Sequence, residues 1–170
     1  MKSPVREGLA KARSSAVHLE MRDIYTPDDP EFAAWKDGRR YTPDSLPDWW
    51  TSWHDVVSET VGRGVSMRRA RIVSEPVTDY IRYEYDLTFA NIRAGELVRW
   101  LPRRKAADIA LPGTDLWMFD DSTVLFTYFS GDGAVIEHEW RTEPAVVALV
   151  GSAFAAVWER ATSHEEYKPV

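Results

Sequence analysis

Arginine is the residue in this sequence best placed to do chemistry. Two groups of it break an acidic background: Arg68, Arg69 and Arg71 in one segment, and Arg99, Arg103 and Arg104 with Lys105 in another. A guanidinium presents its donors in a planar fork and binds carboxylate or phosphate at two points, so two such segments meeting in one hollow would recognise an anion. Glu75, Tyr80, Tyr83, Trp100, Asp115 and Trp117 are the polar and aromatic residues that would complete that hollow. With Arg69, Arg71 and Arg103 they form the candidate binding set. The plainer alternative is ordinary ion pairing with Glu75, Asp79, Glu84, Asp115 and Asp120. In either case a strand carrying alternate arginines must send some of them inward, where a partner is compulsory.

Other chemistry finds little support. The four histidines, at 18, 54, 138 and 164, include no H-E-x-x-H pair, and cysteine is absent, which removes disulfides, thiolate-bound metals and thiol nucleophiles. His54 and His138 read as structural histidines. Gly62-Arg63-Gly64 matches neither a phosphate loop nor a dinucleotide turn, and no G-x-S-x-G elbow occurs. Asp115, Asp120 and Asp121 suit turn positions, where an aspartate bonds its own backbone. The remaining catalytic set is His18, Glu20 and Asp23, with arginines stabilising anionic charge, as in a hydrolase or phosphoesterase. On an alternating strand those three point to two different faces, so they need not meet. No metal or cofactor is expected, and a noncatalytic binding module is the leading reading.

The elements that must position these residues follow from hydrophobic spacing. Val17, Leu19 and Met21 alternate with polar neighbours as a half-buried strand that ends at Tyr25-Thr26-Pro27. Asp28-Asp29-Pro30 supplies the N-cap and first-turn Pro of a short helix closed by Gly38. A second helix from Asp48 carries Trp49, Trp50, Trp53, Val56, Val57 and Val61 on one stripe, read as core, and stops at Gly62. Val65 to Val73 is a strand whose apolar parity changes between Met67 and Ala70, predicting a bulge. Thr78 caps a third helix ending at Gly95. Short strands follow at 97–101, 116–120, 124–129 and 134–140, with turns at Asp120-Asp121 and Ser130-Gly131-Asp132-Gly133 that predict an antiparallel meander. Pro144 opens a last helix with a broad apolar face. The expectation is an α+β domain with a mostly antiparallel sheet of about 5–6 strands and about four helices packed on it.

Composition agrees with one packed core. The chain has 170 residues, 44% hydrophobic and 12% aromatic. Residues 1–14 read as a mobile basic tail, 15–163 as a single domain and 164–170 as a polar tail. A net charge of -6 argues against general attraction to nucleic acid, no helix is rich enough in basic residues to read DNA, and no stretch is apolar enough for a membrane, so a cytoplasmic protein is expected.

The motifs S-A-V-H-L-E-M-R-D at 15–23, R-R-A-R-I-V-S-E-P at 68–76, Y-I-R-Y-E at 80–84, W-L-P-R-R at 100–104 and L-P-G-T-D-L-W-M-F-D at 111–120, with V-W-E-R-A-T-S-H-E-E-Y-K-P-V at 157–170, occur in fixed order. In these the chain resembles, over nearly its whole length, an actinomycete, chiefly streptomycete, family of domains of unknown function. The family is often encoded beside helix-turn-helix regulators. The resemblance implies a regulatory accessory or sensor that binds a protein partner, such as a transcriptional regulator, or a small anionic ligand. Leu116 departs from the family's pattern, in which an aromatic commonly precedes the Trp.

Overall fold

The alternation at Ser15–Glu20 becomes strand β1, and the computed structural model describes residues 3–25, 28–48 and 50–170 around it. Thr26, Pro27 and Trp49, which entered the readings of the first strand's end and of the second helix, lie outside the described residues. Helix α2 (Pro30–Lys36) begins where the Asp29 carboxylate accepts the Glu31 N–H, and a 3-10 turn follows at Pro43–Asp48. Helix α3 (Ser52–Gly62) starts later than Asp48: Thr51 caps it, and His54 Nδ1 accepts the Thr51 N–H at 3.0 Å, completing a reciprocal cap.

Strand β2 (Ser66–Val73), helix α4 (Asp79–Arg93) capped by Thr78, and strand β3 (Leu97–Pro102) form a β-α-β unit. After a 3-10 turn at Arg103–Ala106 come β4 (Leu116–Phe119), β5 (Thr123–Phe129) and β6 (Val135–Arg141), the predicted meander. Asp120 and Asp121 both hold left-handed φ values, 51° and 50°, at the β4–β5 turn. Helix α5 (Pro144–Arg160) and the two-residue β7 (Thr162–Ser163) end the element order.

Among the described residues, one mixed sheet of seven strands runs β6-β5-β4-β1-β2-β3-β7. Its centre differs from the expected antiparallel arrangement, because β1, β2 and β3 pair in parallel. Parallel neighbours need a crossover, and the long helical segments after β1 and β2 supply it. The expected bulge in β2 is absent. Its parity change arises because Arg69 and Arg71 are buried, so β2 is covered on both faces like other central parallel strands. An irregularity of register falls instead between Tyr128 and Phe129.

Val17, Leu19, Ala70, Ile72 and Leu101 pack against Val150, Phe154 and Val157 of α5 on one face of the sheet. The opposite face meets α3 and α4. The chain's ends are structured too, which corrects the expectation of two tails. Residues 4–11 form helix α1 (Pro4–Lys11), whose Leu9 is fully buried, and Tyr167 stacks on Trp100 with ring centroids 5.5 Å apart. Single apolar residues inside polar stretches were enough to anchor them. No described helix is long and apolar enough to cross a membrane.

Candidate functional site

On the face toward α3 and α4, alternation brings His18 and Glu20 of β1 beside Arg69 and Arg71 of β2, in direct register. Glu20 bridges both arginines: its Oε1 lies 3.0 Å from Arg69 Nη1 and its Oε2 lies 2.6 Å from Arg71 Nε. Arg69 Nε donates to Glu96 at 2.9 Å, and Arg71 Nη1 lies 2.5 Å from Glu84 of α4. Below them, Arg71 sits over the Trp100 ring at 5.0 Å and Arg69 over Trp117 at 5.9 Å. The arginine side chains are only 8% and 7% exposed. Burial of such charges is tolerable because each guanidinium meets two carboxylates.

The charges titrate as this packing dictates. Burial would raise the Glu20 carboxyl, but Arg69 and Arg71 outweigh it and hold Glu20 below the usual range. For Glu84 burial wins over Arg71 and pushes the carboxyl up. Burial also lowers His18 to about 3, so this imidazole, stacked on Trp117 at 4.2 Å, stays neutral.

Above this floor lies a cavity of about 450 Å³ between α3 and α4. Trp50, Trp53, Tyr41 and Tyr83 form aromatic walls, Asp29 and Glu31 of α2 add carboxylates, and Arg69 and Arg71 line it. Asp29 accepts the Tyr83 hydroxyl at 3.0 Å, and Glu31 accepts the Tyr41 hydroxyl and Arg39. Asn91, which donates to Glu96 at 2.7 Å, completes the floor. Arg69 Nη2 and Arg71 Nη2 make no hydrogen bond among the described residues, and neither is among the unpartnered atoms sealed away from solvent. Both arginines line the cavity, so these two Nη2 groups are the donors left for it.

The two arginine segments do not share this hollow, contrary to the expected convergence. Arg103 binds the Met21 carbonyl at 2.7 Å, Ser74 Oγ at 3.1 Å and Asp23 at 3.3 Å, tying together the ends of the three parallel strands. Glu75 lies near it, accepting the Tyr167 hydroxyl at 3.0 Å. Arg68 and Arg99 face α5 and stack on Trp158. Of the expected aromatic and acidic partners only Tyr83 lines the cavity. Tyr80 belongs to the ring cluster behind it, Trp100 and Trp117 lie beneath the arginines, and Asp115 is taken by Tyr25 at 2.6 Å and the Met21 N–H at 2.9 Å. Sequence reasoning missed Glu20 and Glu96 as the buried counterions, and Trp50, Trp53 and Asn91 as lining. The alternation His18-Leu19-Glu20 was the available signal for Glu20; Glu96 became legible only through the fold.

His18, Glu20 and Asp23 do not assemble. Asp23 is bound to Ser74 at the far end of β1, and His18 Nδ1 is 3.8 Å from Glu20. Among the described residues no group of three His, Asp or Glu is arranged to hold a metal.

A family model described as "Domain of unknown function (DUF6879)" matches residues 4–169. No curated protein matches the sequence. Among solved structures, the chain is similar to the archaeal chromatin protein TrmBL2, described as showing a novel mode of DNA binding, with TM-score 0.52 and 15% identity over 93% of this chain and 49% of that one. It spans about half the length of that protein. It is also similar to Nuc, a phospholipase D family member from Salmonella typhimurium, with TM-score 0.54 and 10% identity over 94% of this chain and 87% of that one. At such identities the likeness is one of fold alone.

Proposed function

We propose, starting from a chain that belongs to the DUF6879 family, that it is a noncatalytic regulatory or sensor module that binds a small ligand in the cavity between α3 and α4. The supporting observation is that two buried arginines, neutralised by the protein itself, keep donor edges directed at an aromatic-walled hollow. Structural ion pairs alone need no such opening, whereas a binding site combines apolar walls with a few convergent polar groups. The resemblance to domains encoded beside helix-turn-helix regulators supports a transcriptional regulator as the protein that receives the signal.

The test is a thermal-shift screen of a chemically diverse small-molecule library on wild type and on Leu87→Trp, which fills the cavity from α4 and leaves the charged residues themselves unchanged. Hits that stabilise wild type and not the variant are expected. A library whose hits act equally on both would overturn the cavity as the site. Coexpression with a helix-turn-helix regulator of the kind encoded beside such domains would check the partner, copurification being the expected result.

A second reading, phosphoester hydrolysis, draws support from the fold shared with Nuc. Against it stands the position of His18, which is stacked on the Trp117 ring and is not among the residues lining the cavity. Assaying bis(p-nitrophenyl) phosphate with wild type and His18→Ala decides: turnover lost in the variant would favour it, and equal or absent turnover removes it.

A further inference from the structure

Resting on that reading of the cavity, we propose that its ligand is an uncharged planar heterocycle carrying two carbonyl-type acceptors, of the nucleobase or alkylated xanthine class. The reasoning is a balance of charge against donor capacity. Arg69 and Arg71 face Glu20, Glu84 and Glu96, so two cationic groups meet three carboxyl groups, that of Glu84 pushed up by burial, before any ligand arrives. Glu31 and Asp29 add negative charge in the same cavity. An anion gains no net attraction there and would lose its hydration, and a phosphate dianion would be repelled. An amine, though drawn by the surplus of carboxyl groups, is a donor only and has no acceptor to offer the two guanidinium edges.

Two unused N–H edges remain, Arg69 Nη2 and Arg71 Nη2, and they call for acceptors. An acceptor without net charge satisfies them without disturbing the balance of the floor. Because the two arginines stand two residues apart on one strand face, their backbones are about 6–7 Å apart. A single ring system with acceptors at two positions can serve both edges. The walls match the same shape: Trp50, Trp53, Tyr41 and Tyr83 offer faces and edges to a flat π-system, and a cavity of about 450 Å³ suits one ligand of that size.

Isothermal titration calorimetry with caffeine and thymine as neutral probes, and benzoate, inorganic phosphate and benzylamine as charged ones, tests this. The neutral probes are expected to bind wild type, with affinity changing less than about threefold between about 50 and 500 mM salt. Leu87→Trp should weaken them by about tenfold or more, and Trp50→Ala, at the half-buried wall, by several fold should Leu87→Trp not fold. Tighter binding by a charged probe overturns the ligand class and leaves the cavity reading standing. Silence from the neutral probes also overturns the class; the cavity reading falls with it only when no charged probe distinguishes wild type from Leu87→Trp either.

Discussion

Glu20 is the residue on which the buried charge of the sheet turns, because among the described residues it alone pairs with both Arg69 and Arg71. Removing one member of a buried ionic group strands the others, which typically costs about 3–5 kcal/mol. Glu20→Ala is expected to lose stability of that order in chemical denaturation, and a change under about 1 kcal/mol would mean that water already neutralises the arginines. Two further residues give pH dependence of opposite sign. Burial raises Asp115 to about 6, above the usual aspartate value, so its contribution is full at acid pH and is lost as pH rises toward 6. Burial lowers His164 to about 4, so its contribution is full above the usual histidine value and is lost as pH falls toward 4. Relative to wild type, Asp115→Asn should therefore gain as pH rises from about 4 to 7, and His164→Gln should gain as pH falls over the same range. Denaturation midpoints at the two ends read both signs. At this scale the sequence exposed the arginines and, in Glu84, one of their counterions, but not Glu20 or Glu96, since a carboxylate's role depends on what stands across from it.

Helix α1 shows how little sequence is needed to dock an element. Its Leu9 fills a buried site beside Val57, and a Cβ built on Gly8 would collide with the Phe119 ring of β4. Alanine would normally favour a helix by up to about 1 kcal/mol over glycine, yet here overpacking costs about 1–3 kcal/mol. Gly8→Ala is thus expected to lower the unfolding midpoint and hasten proteolysis near the N-terminus; an increase would show α1 undocked. The helices capped by Asp29 and Thr78 and the hairpin at Asp120-Asp121 were readable because caps and turns are local chemistry. The bulge predicted in β2 was not found, because burial on both faces mimics a break in alternation.

Across the whole molecule, the C-terminal segment closes the β3 side of the sheet. Tyr167 stacks on fully buried Trp100, donates to Glu75, and lies where the Val77 N–H reaches the Val170 carbonyl at 2.7 Å. Tyr167→Ala is expected to cost about 3 kcal/mol and to expose Trp100, read as a red shift of tryptophan emission. An unshifted spectrum with unchanged stability would show that the segment is dispensable. By itself the sequence determined helices α2, α4 and α5 with their starts, the β4–β6 meander and the presence of inward arginines, because each follows from spacing within a few residues. Only the tertiary structure decided that β1, β2 and β3 run parallel, that Arg103 serves the strand ends while Arg69 and Arg71 serve the cavity, and that Glu96 neutralises Arg69. Those outcomes depend on which distant segments become neighbours, and strand order and crossover direction leave no local mark on the chain.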